Sequence, residues 1–457
     1  MAVGVSADTI YLKSGRKVTA SHVVQENGQV SYETAAGRTS FSASIVDHVV
    51  RDDSSDGIPS DRAANVTLAP PSAPVTTPSA AVRGGSIDTS LLARLESEAS
   101  ANPTPTAVAR VVAAESAAAQ FEISVGDYDR AMDHYNTGLR FDSASVDLLL
   151  AAAYLHLRKS EYTAAADLLE RARRDHSDSA EVAKLSGWAY YGLNRVGDAV
   201  TQWKHAMEIK PDEDTRRALE KAERDAREES EYREGETVHF RLKYNGTAAP
   251  ELARDVLKTL ESEYDEISTA LNYVPPEPIG VILYTNQAFM DITQAPNWSG
   301  ALNDGRIRVP VEGLSSMNAE LARVLKHELT HSFVGQKTGG RCPVWLQEGL
   351  AQFMEGKRSR TNAATLIRAQ EQHMELSLSS YETSWLNLPK DDALKAYAWS
   401  LAVVETIVTV NGMDDMGRIL DHLAAGSSAE DALHAVLREN YSDVLQSTAQ
   451  FLRSAYR

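Results

Sequence analysis

The stretch Leu325-Lys326-His327-Glu328-Leu329-Thr330-His331 constrains this chain more tightly than any other. Residues four apart on a helix share one face, one turn from each other. His327 and His331 therefore offer two imidazoles to one point, a pair that suits Zn²⁺ held at about 2.0–2.1 Å from each nitrogen. Glu328, beside the first of them, is placed to take a proton from a water at the metal. Among twelve histidines, a chance His-Glu-x-x-His is roughly a 2-in-100 event. The flanks are helical. Ser315 and Ser316 suit the N-cap, Glu320 suits the first turn, and Leu321, Val324, Leu325, Glu328 and Ser332 keep helical spacing. Gly335 can end the helix.

A catalytic zinc with two histidines wants a third protein ligand and one open position. Past a loop with Gly339, Gly340 and Pro343 runs Trp345-Leu346-Gln347-Glu348-Gly349-Leu350-Ala351-Gln352-Phe353. The loop can turn the chain back so that a second helix lies beside the first. Trp345, Leu346, Leu350 and Phe353 would bury one side of it and Glu348 would face the metal. Taken alone, Glu348 is a solvated helix glutamate; at this distance from the histidine pair it becomes the third ligand.

His327-Glu328-x-x-His331 followed by Trp345-Leu-Gln-Glu348-Gly-Leu-Ala resembles the gluzincin metallopeptidases, most closely the bacterial peptidase MA-like domain, over about residues 235–457. The resemblance implies one zinc on His327, His331 and Glu348, with Glu328 as general base. It implies further that Tyr397, opening the stretch Tyr397-Ala398-Trp399-Ser400, donates its hydroxyl to the oxyanion, as a tyrosine does in zinc aminopeptidases. In gluzincins the strand before the zinc helix is often a sheet edge to which substrate adds as a further strand. Carried over, that edge is Gly305, Arg306, Ile307, Arg308 and Val309; an internal strand is the other reading of the same residues. Two departures matter. The Gly-x-Met-Glu-Asn stretch by which aminopeptidases bind a free amino group is absent, which favours an endopeptidase or a protease of narrow range. Thermolysin also has an aspartate four residues after its zinc glutamate, and Gln352 stands at that position here.

The rest of the chain is modular. Residues 1–50 read as a small β unit: Ile10/Leu12 and Val30/Tyr32 alternate with polar neighbours, and Asn27-Gly28 is a hairpin signal. Residues 51–106 hold seven of the sixteen prolines among Ala, Ser and Thr. This composition buries too little apolar surface to fold alone, so it reads as a linker with one short helix from Asp88 to about Ser100. Residues 107–234 carry a repeat of period 34. Tyr128, Tyr162 and Val196 align, as do Ala131, Ala165 and Ala199, and again Gly138, Ala172 and Ala206. These positions resemble the tetratricopeptide repeat, three helical hairpins stacked and capped by a charged helix at about 214–233. Either the stack holds a partner protein or peptide in a groove, or it is a rigid spacer.

From 235 onward a strand at Val238–Tyr244, an amphipathic helix over Ala249–Leu271 with Leu252, Val256, Leu260 and Tyr264 inward, and a buried strand at Ile279–Tyr284 lead to the zinc helix. The fold class expected is multidomain α+β: β unit, helical stack, and α+β metallopeptidase domain.

A net charge of −18 leaves no basic stripe for nucleic acid and opposes binding to an anionic membrane surface. No run reads as long and apolar enough to span a bilayer. Val5-Ser6-Ala7 is a small-x-small triplet of the kind that ends a signal peptide, followed by Asp8-Thr9-Ile10, so export to the periplasm or outside the cell is expected. Cys342 stands alone, which rules out an intrachain disulfide. It is either a thiolate that approaches the metal or a small apolar residue in a tight loop. The function expected is zinc-dependent cleavage of a peptide or protein. Two other readings stand beside it: a binding scaffold with an idle or structural zinc site, and a zinc hydrolase of a non-protein amide.

Overall fold

The computed structural model describes residues 7–12, 17–26, 29–34, 37–42, 46–50, 81–83, 86–245, 250–285, 288, 302–303, 305–311, 314–372, 377–383, 385 and 390–456. The chain divides into two units, Met1–Arg62 and Ala63–Arg457.

In the first unit, β1 (Ala7–Leu12), β2 (Lys17–Glu26), β3 (Gln29–Thr34), β4 (Gly37–Ser42) and β5 (Val46–Val50) form an antiparallel sheet in the order β4-β3-β2-β1-β5. Glu26 faces Gln29, the register of a two-residue hairpin; Asn27-Gly28 themselves lie outside the described residues.

The second unit opens with the two-residue strands β6 (Val82–Arg83) and β7 (Ser86–Ile87) and then α1 (Thr89–Ala101). Asp88 caps α1 by accepting from the Leu91 amide at 2.9 Å. The linker was expected to reach residue 106, but α1 belongs to the folded stack. Leu92, Leu95 and Ala99 share one helix face and pack against Val111, Ala114 and Ala118 of α2 (Pro105–Ser124).

The stack continues through α3 (Tyr128–Phe141), α4 (Val146–Arg158), α5 (Tyr162–Asp175), α6 (Ala180–Gly192), α7 (Val196–Ile209) and α8 (Glu213–Glu228). The period of 34 is visible in the turns. Gly126, Ser160 and Asn194, each just ahead of a hairpin's second helix, have φ of +88°, +59° and +60°. The small residues at the repeated positions are buried where helices cross. At Gly187, in one such crossing, a Cβ would come within 2.3 Å of the Trp203 Nε1.

Beyond the stack, β8 (Arg233–Glu236), β9 (Phe240–Tyr244), β10 (Ile279–Tyr284), β11 (Leu302–Asn303) and β12 (Ile307–Pro310) form a mixed sheet in the order β11-β12-β10-β9-β8. The helix α9 (Pro250–Leu271) packs Leu252, Val256, Leu260 and Tyr264 onto this core, and Phe240, Leu242, Val281 and Leu283 meet them from the sheet. Seven further helices follow among the described residues: α10 (Ala319–Lys337), α11 (Val344–Met354), α12 (Ala363–Glu371), α13 (Lys390–Asn411), α14 (Met413–Ala424), α15 (Ala429–Leu437) and α16 (Tyr441–Ala455). Among the described residues one helical stretch, Asp392–Asn411 in α13, is long and apolar enough to cross a membrane by length and composition alone. Its Ala396, Trp399, Ala402 and Val403 are core residues, which accounts for the apolar run.

The row of stack turns lies on the C-terminal domain. Leu193 O accepts from Arg241 at 3.0 Å, the Thr163 amide donates to Glu277 at 2.9 Å, and Arg158 donates to Gly339 O at 3.1 Å. A buried charge cluster joins α8 to the sheet. Arg308 forks onto Asp225 with bonds of 2.9 and 2.8 Å, Arg306 bonds Asp225 at 3.1 Å, and Arg306 also grips Glu229 at 2.5 and 2.6 Å. The Tyr191 and Tyr284 hydroxyls each accept from Arg308 and donate to Asp225 and Glu229 respectively.

This cluster corrects the expectation of a free edge at Gly305–Val309. The alternation along the strand sends Arg306 and Arg308 to Asp225 of α8 and to Glu229 just past its end. Hydrogen bonding then flanks β12 on both sides, with β10 parallel and β11 antiparallel. Leu302–Asn303 is the outermost described strand on that side.

Candidate metal centre

Helix α10 begins at Asn318, whose side chain accepts from the Leu321 amide at 2.7 Å. Ser315 and Ser316 therefore lie ahead of the cap, and Glu320 sits in the first turn. The helix runs through Gly335 to Lys337. The reversal is made at Gly339 (φ +58°) and Gly340 (φ +74°), with the Gly340 amide closing on Gly335 O at 2.8 Å. Two successive left-handed residues at a helix C-terminus are a role for glycine. Helix α11 then returns beside α10. It crosses α13 so closely that a Cβ on Gly349 would lie 2.3 Å from Ser400 O.

The reversal brings three side chains to one point. His327 Nε2 and His331 Nε2 are 3.1 Å apart, His327 Nε2 is 3.5 Å from Glu348 Oε2, and His331 Nε2 is 3.7 Å from Glu348 Oε1. Among the described residues this trio is the one group of histidine, cysteine or acidic side chains spaced to share a metal ion. The spacing fits. A tetrahedral ion with arms of about 2.1 Å separates its ligand atoms by about 3.4 Å. Glu348 Oε2 is also buried without a hydrogen-bond partner, which leaves a lone pair for a cation.

The electrostatics agree with a cationic seat. Three carboxylates, Glu328, Glu348 and Glu355, surround two imidazoles. Burial pushes Glu328 up to about 7, with Glu348 and Glu355 adding to the rise against His327. Burial would also raise Glu348, but His331 and His327 hold it below the usual carboxylate range. The imidazoles split because burial dominates at one and the carboxylates at the other. Burial drives His331 down to about 4. The carboxylates Glu348 and Glu355 overcome the same burial at His327 and raise it to about 10.

Sequence reasoning missed Glu355. Its Oε1 lies 3.5 Å from His327 Nδ1, on the far side of the ring from the metal-facing nitrogen, and 2.8 Å from Lys357 Nζ; its other oxygen meets Arg323. Burial opposes ionisation, yet His327 and Lys357 bring Glu355 down to about 2. A carboxylate behind a ligating histidine fixes the ring and its tautomer. The signal available was the seven-residue step from Glu348, two helical turns on the same face. Gln352, at the four-residue step, bonds instead to Glu348 O at 3.2 Å and to Tyr397 O at 3.1 Å.

Tyr397 lies on α13 with its ring edge-on to Trp385 at 4.9 Å between centroids. Burial, then Glu348 and Glu328, raise its phenol above the ordinary value, so it stays a proton donor. Cys342 packs in the loop between the two helices, and burial raises its thiol, which keeps it neutral. That favours the small apolar role over a thiolate near the metal.

Residues 267–448 match the family model of the Peptidase MA superfamily. The matched stretch contains the whole trio, Glu328, Glu355 and Tyr397, and it makes the C-terminal domain peptidase MA-like. No curated protein matches the chain.

Proposed function

We propose that this protein is a zinc-dependent peptidase, with endopeptidase action, whose repeat stack engages a partner or a segment of the substrate. The observation that carries the reading is the convergence of His327, His331 and Glu348 with Glu328 one residue from the first ligand. Bound zinc would supply a Lewis acid and bring the pKa of water toward ~7. Glu328, sheltered from solvent, takes the proton from the attacking water and hands it to the leaving amine. Tyr397 donates its hydroxyl to the oxygen on which negative charge develops. Glu355 holds the His327 ring, and Arg323 and Lys357 hold Glu355. The substrate strand is assigned to the Leu302–Asn303 edge in place of β12.

One experiment tests the assignment. Removing metal with a chelator should abolish cleavage of unfolded-protein substrates, and stoichiometric zinc should restore internal cuts. In Tyr397→Phe the zinc-restored rate should be about 10²–10³-fold lower at unchanged zinc content. Cleavage that survives metal removal sinks the metallopeptidase reading, and a full rate in Tyr397→Phe sinks the role of the tyrosine.

A further inference from the structure

The segment between Lys337 and Val344 decides how the helix bearing His331 faces the helix bearing Glu348. This segment is held from both sides: its backbone bonds to its own domain, as in Gly340 to Gly335 O and Val344 to Glu382 O, and the stack grips it at Gly339 and Arg341. Arg341 reaches across to the first hairpin turn of the stack. Its guanidinium donates to Gly126 O at 3.3 Å and to Ala424 O, and it lies 3.8 Å from the centre of the Tyr128 ring. Arg158, at the next turn, donates to Gly339 O at 3.1 Å. The backbones meet as well: a Cβ on Gly126 would lie 3.0 Å from the Gly426 Cα.

We propose that Arg341 and Tyr128 are a positioning pair through which the helical stack sets the geometry of the metal site, an inference that rests on the metal-binding reading. Neither residue touches the metal or the substrate. A guanidinium stacked on a ring while bonded to two carbonyls is held at three points, which restrains the path of the loop it belongs to. That path fixes where Glu348 arrives relative to His331. The coupling runs both ways, because a contact that favours zinc binding must itself be stabilised by zinc.

The test uses the full chain and zinc chloride. In the unmutated protein, zinc should slow amide hydrogen exchange at Gly126, Asp127 and Tyr128, whose amides bond to Ile123, Glu122 and Gly126 carbonyls, as well as in the two ligand helices. In Tyr128→Leu and Arg341→Ala the zinc dissociation constant, read by competition with a chromophoric chelator, should rise roughly 2- to 30-fold, the range of couplings carried through packed contacts. Tyr128→Phe, which keeps the ring, should bind zinc as the parent does. Zinc that protects the ligand helices but leaves the 126–128 turn unchanged overturns the proposal, and this readout needs no variant to fold. Unchanged zinc affinity in a folded Arg341→Ala overturns it equally. Zinc that protects neither region would instead overturn the metal-site reading.

Discussion

Glu355 follows Glu348 by a seven-residue step, two turns of helix, so both carboxylates meet His327 from one face of that helix. Glu348 approaches Nε2 and Glu355 approaches Nδ1, and the imidazole is held at both nitrogens. Glu355→Gln keeps the size of the group and removes its charge. Zinc affinity, measured by chelator competition, should fall about 10- to 100-fold, the usual cost of losing such a support. An unchanged affinity would show that Glu355 serves Arg323 and Lys357 alone. The ligand trio was legible because helical geometry forces a four-residue histidine pair to converge. Glu355 was not, because the thermolysin pattern points to the four-residue step, and Gln352 stands there.

At the scale of elements, the site depends on how closely α11 packs against α13. Gly349 makes this approach possible; in Gly349→Ala the added methyl meets Ser400 O, a backbone atom that cannot swing aside. The two helices must part, at a cost of about 1–3 kcal/mol for an overpacked core. Denaturant unfolding of the metal-free chain should show this loss, and zinc affinity should fall with it because Glu348 precedes Gly349. Wild-type stability would mean that α13 shifts freely. Most elements were legible in the sequence. The 34-residue period gave the hairpins, and the apolar alternation gave α9 and β10. The free edge at Gly305–Val309 was misplaced because alternation shows which residues share a face of a strand, not what covers that face. Arg306 and Arg308 share the face that Asp225 and Glu229 cover. The cap of α10 lay at Asn318 rather than Ser315 or Ser316, since several polar residues precede the helix and only backbone geometry selects among them.

For the molecule as a whole, buried charges bridge the boundary drawn near residue 235. Asp225 and Glu229 precede the boundary; Arg306 and Arg308, at 2 % and 0 % exposure, follow it. Two guanidiniums buried in a sheet are tolerable only with their counter-charges. Asp225→Asn should therefore destabilise the chain by about 3–5 kcal/mol in urea or guanidinium unfolding, the range for breaking a buried ion pair. A loss near zero would mean that water or a neighbouring group replaces the carboxylate. The stack is thus part of what holds the peptidase-like sheet together. The most direct test of the central claim is cleavage of a mixed peptide library, read by mass spectrometry, by wild type and Glu328→Gln of the full chain, each verified to hold zinc. The account predicts internal cuts by wild type and a rate about 10²–10⁴-fold lower in the zinc-loaded variant, the contribution of a positioned general base. Equal rates in the two, or zinc bound by both and no cut by either, would contradict it.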